Sequence, residues 1–334
     1  MKIDIFPHIL PLKYKEALAK KLPPAAYKPY LWQQEACPTL FDLERRFRIM
    51  DKYEDLVQVL NITLPFVETI AEPKDAIELA KLGNDELAKL VEKYPDRFVA
   101  AIANLPMNDM DATLDELDRA INELHFKGIQ LCTDINGKPL DSPEFMPIYE
   151  KMEKYNLPIL LHPMRPDTIS DYATEDSSKY EIWAIFGWPY ETTAAMTRLV
   201  YSHVLQNYPG LKFVTHHCGA MIPYFERRIL YCFNYSDIRT KANYTQGFTK
   251  SPLEYFKMFY ADTAIDGSTP GLMCGYAFFG ADHILFGSDM PYDYQDGNLI
   301  LKETIKSIEQ MDIPEPDKQQ IFEGNARKLL RLPL

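Results

Sequence analysis

Eight short apolar runs, each followed by a longer amphipathic run, fill a chain of 334 residues from end to end and predict an α/β protein with the closed (β/α)8 (TIM) barrel fold. The length supports the same reading, since 334 residues exceed an ordinary single domain but fall within what one closed barrel fills. We therefore expect a single domain over residues 1–334. Its chemistry belongs at the C-terminal ends of the strands.

Taken in order, "KIDIF" is the first strand and "TLFDLERRFRIMDKY" the helix that returns from it. "LVQVLNIT" from Leu56 pairs with "PKDAIELAKLGNDELAKLVEKY", "FVAAIANLP" from Phe98 with "DATLDELDRAINELHF", and "GIQLCT" from Gly128 with "SPEFMPIYEKMEKY". "PILLHP" from Pro158 precedes "YETTAAMTRLVYSHVLQNY", and "KFVTHH" from Lys212 precedes "MIPYFERRILYCFNY". "MFYADTA" from Met258 leads to "TPGLMCGYAFFG", and "HILFGSD" from His283 to the pair "NLILKETIKSIEQM" and "EPDKQQIFEGNARKLLRL". Two connections are longer than the usual few residues, one after the first strand from about Ile9 to Pro38 and one after the fifth from about Met164 to Trp188. Long loops in a compact domain form lids, pocket walls or subunit contacts, and the second carries Arg165, Trp183, Phe186 and Trp188.

Composition is that of a globular protein, 46% hydrophobic, 25% charged and 13% aromatic, which excludes disorder. With 36 basic against 48 acidic residues the formal charge is −12, so nucleic acid and anionic membrane are not expected partners. An anionic substrate needs a local basic pocket. Five cysteines without CxxC spacing suggest neither a disulfide framework nor a zinc knuckle. No signal segment is evident and no run approaches the roughly 18 apolar residues of a membrane span, so a cytoplasmic location is expected.

The polar residues that end the strands form a set: His8 after the first, His162 on the fifth, His216 and His217 on the sixth, and Asp289 on the eighth. One such histidine alone is more often structural than a ligand. Here four of the seven histidines fall at one mouth, whereas His125 and His203 are expected in amphipathic helices and His283 at the opposite face. Imidazole and carboxylate suit zinc, manganese or iron, and a catalytic site needs about three protein ligands, which His8, His162 and Asp289 supply.

Five ordered segments carry a resemblance over nearly the whole chain: "IDIFPHILP", "GIQLCTDINGKPLDSPEFMPIYEKMEKYNLPILLHP", "GWPYETTAAMTRLVYSHVLQNYPGLKFVTHHCGAMIPYFERRI", "ILFGSDMPYD" and "IFEGNARKLLRL". Together they resemble the amidohydrolase-related branch of the metal-dependent amidohydrolase superfamily, the branch typified by aminocarboxymuconate-semialdehyde decarboxylase. The resemblance implies one divalent metal ion, zinc or manganese, held by His8, His162 and Asp289. It makes His217, before "CGAMIPY", a catalytic histidine that does not bind the metal, and it implies a homodimer.

The chain departs from the pattern at Phe6, where the family has the first residue of His-x-His or a glutamate; a phenyl ring donates nothing to a cation. Three donors remain, the number that catalytic zinc sites use, although metal-free function stays open. Two residues before His8 on a strand, Phe6 is expected on the same side, as an aromatic wall for a planar substrate or as core filling. Arg165 is a candidate clamp for a substrate carboxylate, with Arg46 and Arg48 as alternatives. Trp183 and Trp188 are expected to line the pocket. Cys218 is read as structural because adjacent strand residues point to opposite faces.

Three chemistries fit the implied site. In non-oxidative decarboxylation of an aromatic or unsaturated carboxylic acid, Asp289 or His217 protonates the carbon that loses carbon dioxide. In hydrolysis of a lactone, ester or amide, the same residues take a proton from the attacking water; hydration of a double bond is the third. Decarboxylation is preferred for its closer motif resemblance and for the aromatic loops. A catalytically silent barrel that serves as a binding subunit is the alternative outside enzymology.

Overall fold

The computed structural model describes residues 1–333. Its first barrel strand comes in two pieces, Lys2–Asp4 and His8–Ile9, which both pair in parallel with the second strand, Leu56–Ile62. Phe98–Ala101, Ile129–Cys132, Ile159–His162, Phe213–Thr215, Tyr260–Asp262 and Ile284–Leu285 follow as the third to eighth strands. Parallel ladders join the second to the third and run unbroken from the fourth to the eighth. A bridge between Ala103 and Ile129 closes the gap between third and fourth. The eighth is tied back to the first by three amide bonds, Ile5 N to Phe286 O at 3.0 Å, Asp289 N to Phe6 O at 3.1 Å and His8 N to Met290 O at 2.7 Å. The expected barrel is closed.

Packing follows from the sequence pattern. All seven residues of the second strand are buried, as a strand covered on both faces requires. Helix Pro73–Lys93 starts on a proline and buries Ala76, Leu79, Ala80, Gly83, Asn84 and Leu87, the spacing of one helical face. Gly83 marks the closest approach, since a Cβ there would stand 2.7 Å from Ile62 Cδ1. Among the described residues no helix is long and apolar enough to cross a membrane.

Three expectations need correction. The connection after the first strand is largely helical, in short pieces at Leu12–Lys21, Pro24–Tyr27 and Leu31–Ala36; prolines cut it into lengths too short for periodicity to register. His125 and His203 stand outside helices, with φ of 58° and 64°, at turns where the helical path has ended. The sixth strand stops at Thr215, and His217 and Cys218 follow in successive left-handed conformations, so the strand alternation invoked for Cys218 does not apply. Its sulfur nonetheless points away from the mouth, against Gly275, where an added Cβ would lie 2.3 Å from it.

A buried polar chain fixes the barrel closure. Asp4 accepts hydrogen bonds from Ser288 N (2.9 Å), Ser288 Oγ (2.6 Å), Gln58 Nε2 (3.2 Å) and Phe6 N (3.3 Å). Gln58 Oε1 accepts from Arg46 Nε at 2.8 Å, and Arg46 Nη1 donates to His8 O at 2.8 Å. Burial pushes the Asp4 carboxyl up, against the Ser288 bonds and the Arg46 charge; burial likewise pushes Arg46 down to about 10, against Asp4. Arg46 therefore anchors the backbone of His8. Arg48, two residues on, is exposed and 3.9 Å from Glu44.

Removing one member of such a buried chain leaves its partners unmatched. Asp4→Ala is expected to cost about 3–5 kcal/mol in chemical denaturation, whereas Arg48→Ala shifts stability by no more than about 0.5 kcal/mol.

Candidate metal centre

Five of the strand ends deliver side chains to the mouth. His8 begins the second piece of the first strand, His162 ends the fifth, His216 and His217 follow the sixth, Asp262 ends the seventh and Asp289 follows the eighth. His8 Nε2 lies 3.0 Å from Asp289 Oδ1, and His216 Nε2 lies 3.4 Å from the same oxygen. His217 Nε2 is 4.0 Å from Asp289 Oδ2. The donor atoms of His8, His162 and His216 all lie within 4.8 Å of one another, as do those of His216, His217 and Asp289.

The outer hydrogen bonds of two rings select the nitrogen each presents. His162 Nδ1 lies 2.7 Å from Pro163 O, so it carries the proton and leaves Nε2 as the free donor. His216 Nδ1 is bound to a carboxylate oxygen of Asp262, whose Oδ1 accepts from Cys218 N at 3.1 Å and Ala264 N at 3.0 Å. Burial alone works against charge on His216, but Asp262 and Asp289 outweigh it and push the imidazole up to about 10. Burial and the neighbouring His216 push His217 down to about 4, and burial followed by His8 drives His162 well below the usual range. The Asp289 carboxyl is held well below its usual range: burial opposes ionisation, and His216 and His8 overcome it.

These residues fit a divalent cation. Both nitrogens of His8 and Nε2 of His216 are buried without a hydrogen-bond partner, an arrangement that is costly unless something else satisfies them. Two donors each bonded to one cation at about 2.0–2.2 Å stand about 2.8–3.6 Å apart, which spans both separations to Asp289 Oδ1. The carboxylates that favour a proton on His216 equally favour a metal cation beside it.

The remaining predicted residues divide. Trp188 belongs to the site, its ring 6.1 Å from that of His162 and 6.4 Å from that of His217, and Trp183 backs it at 5.3 Å. Phe6 is 0% exposed and stacks on His216 at 4.1 Å with 17° between the planes. It is thus a floor beneath the histidines and has no surface with which to meet a substrate as the expected wall. Arg165 pairs with Glu191 at 2.9 Å and accepts the Trp188 indole proton on its carbonyl at 3.2 Å. One nitrogen of its guanidinium is thus engaged. Arg48 is on the outside of the barrel, and Arg46 is enclosed in the Asp4 chain, so neither supplies the clamp.

The strand-end pattern does not give the geometry of His216, its partner Asp262, or the rings of Phe66 and Tyr292, which lie 5.6 Å from His162 and 5.5 Å from His8. Asp262 ended a recognised strand, "MFYADTA", and was the available signal.

The barrel with a histidine and aspartate cluster at its C-terminal mouth is the architecture of the amidohydrolases. Residues 38–332 match the amidohydrolase (Amidohydro_2) family, and the chain belongs to it. It is 31% identical over 305 residues to the gamma-resorcylate decarboxylase of Polaromonas sp. (strain JS666), covering 88% of this chain and 89% of that one. It is 29% identical over 293 residues to the 2-amino-3-carboxymuconate-6-semialdehyde decarboxylase of Dictyostelium discoideum, with 87% and 77% covered. The crystal structure of a dihydroxybenzoic acid decarboxylase from Polaromonas sp. JS666, with bound manganese and the inhibitor 2-nitroresorcinol, superposes with a TM-score of 0.80 at 27% identity, covering 99% of this chain and 96% of that one.

A cation that binds only the folded chain stabilises it by about 2.7 kcal/mol at a free concentration 100-fold above its dissociation constant. Zinc added to metal-free protein is expected to raise the melting temperature accordingly; His8→Ala and Asp289→Asn should each remove most of that rise, and Arg48→Ala should preserve it.

Proposed function

We propose that this protein is a metal-dependent, non-oxidative decarboxylase of an aromatic carboxylic acid. The observation that carries the reading is a cluster in which His8, His162 and His216 lie close to one another and His216 and His8 meet Asp289, beside His217 and Trp188, in a chain whose relatives are decarboxylases of gamma-resorcylate and of 2-amino-3-carboxymuconate-6-semialdehyde.

His8, His162 and Asp289 would hold a divalent ion, which would supply positive charge to stabilise the charge developed as carbon dioxide departs. The protein's own residues do the rest. His8, His162 and His216 are at most 3% exposed, whereas the side chains of His217 and Asp289 keep 17% and 16% exposure. Those two alone face both the cluster and the mouth. The proton that replaces the carboxyl group on the ring carbon therefore passes through Asp289 or His217. Trp188, steadied by the Arg165 carbonyl and by Trp183, offers a flat face to a planar substrate. The Arg165 backbone carbonyl holds Trp188, and the side chain pairs with Glu191 through one guanidinium nitrogen.

Zinc suits this site better than manganese, because imidazole donors outnumber carboxylates around Asp289 Oδ1. The exposed Tyr172, Tyr180, Phe186 and Tyr190 after the fifth strand, with Tyr231, Tyr235 and Ile238 of helix Glu226–Thr240, support assembly as a homodimer.

Turnover of 2,6-dihydroxybenzoate and related hydroxybenzoates by metal-loaded protein in heavy water tests the reading. Carbon dioxide should be released, with one deuterium on the carbon that carried the carboxyl group. His217→Gln should lower kcat by about 10²–10⁴-fold. Hydrolysis of lactones or amides by the same preparation, with no carbon dioxide from any acid, would refute it.

A further inference from the structure

Phe6 occupies a place from which the first strand could have given a second donor, and the ring that covers it is His216. The two rings are nearly parallel at 4.1 Å, so the phenyl plane fixes the plane of the imidazole. His216 is 1% exposed, and its Nε2 makes no hydrogen bond of regular geometry: it meets Asp289 Oδ1 only at 3.4 Å, longer than the roughly 2.7–2.9 Å of a charge-assisted bond. That oxygen also faces His8 Nε2 at 3.0 Å. A merely structural histidine this deeply buried would use both nitrogens. The other edge of His216 is held by Asp262, itself 0% exposed and pinned by the amides of Cys218 and Ala264. A carboxylate on the far nitrogen is the outer support that ligand histidines ordinarily have, and His162 has its counterpart in the Pro163 carbonyl.

We propose that His216, oriented by Asp262 on one edge and by Phe6 on one face, is the fourth protein ligand of the metal and replaces the donor that Phe6 cannot provide. This rests on the metal-dependent reading above and deepens it. Phe6 becomes a platform for a ligand, and Asp262 is a positioning residue. The donor set is then three imidazoles, from His8, His162 and His216, with one carboxylate, from Asp289. Such a nitrogen-rich set prefers zinc to manganese. His217, with its Nε2 4.0 Å from the other Asp289 oxygen, stays free for proton transfer.

The test is X-ray absorption of the zinc-loaded wild-type protein, together with zinc affinity by chelator competition. The spectrum should fit three imidazoles at about 2.0–2.1 Å. His216→Gln should weaken zinc binding at least 100-fold, and Asp262→Asn by about 10–100-fold. A wild-type spectrum with only two imidazoles, or a folded His216→Gln protein with undiminished zinc affinity, would overturn the assignment while leaving the decarboxylase reading in place. Wild-type protein that binds neither zinc nor manganese would instead defeat that reading, and this inference with it. The wild-type spectrum decides even if a variant does not fold.

Discussion

Asp4 sits where the barrel closes, and the arrangement at the mouth depends on its buried carboxylate. Through Ser288 and Gln58 it joins the first, second and eighth strands, and through Arg46 the same chain reaches the carbonyl of His8. The adjacent amide bonds, Asp289 N to Phe6 O and His8 N to Met290 O, then set two strand ends in a fixed relation. The 3.0 Å between His8 Nε2 and Asp289 Oδ1 follows from that closure. Without it, the first and last segments of the chain would have no reason to meet at bonding distance.

Such a site is expensive to fold. Desolvating four imidazoles and two carboxylates opposes folding, and the apolar core around them must outweigh that cost. Asp262 and Asp289 recover part of it by favouring positive charge on or beside His216. The aromatic surroundings act in the same direction. Phe6 beneath His216, Phe66 beside His162 and Trp188 over His217 exclude water and strengthen every electrostatic interaction inside.

Much of this was legible in the sequence, because barrel strands buried on both faces read as continuous apolar runs and the residue after each run lies at the mouth. That rule found His8, His162, His216, His217 and Asp289. It could not rank His216 against His217, since the chain turns left-handed just after Thr215 and strand alternation ends there. Nor did it separate Arg46 from Arg48, which lie about 200° apart around a helix. The pattern held the answer: Arg46, Ile49 and Met50 share the buried face, and Arg48 does not. The inserted helices after Ile9 were hidden by their brevity. Phe6 was recognised as a departure, but its role depends on which ring stacks on it, a long-range contact that no local pattern encodes.

The central claim is that donors from the first, fifth and eighth strands converge on one divalent cation. Anomalous diffraction at the zinc edge, from crystals of the zinc-loaded protein, measures this directly. The account predicts one strong peak per chain, about 2.0–2.2 Å from donor atoms of His8, His162 and Asp289. A peak bound elsewhere, or none at this mouth despite zinc in the crystal, would contradict it.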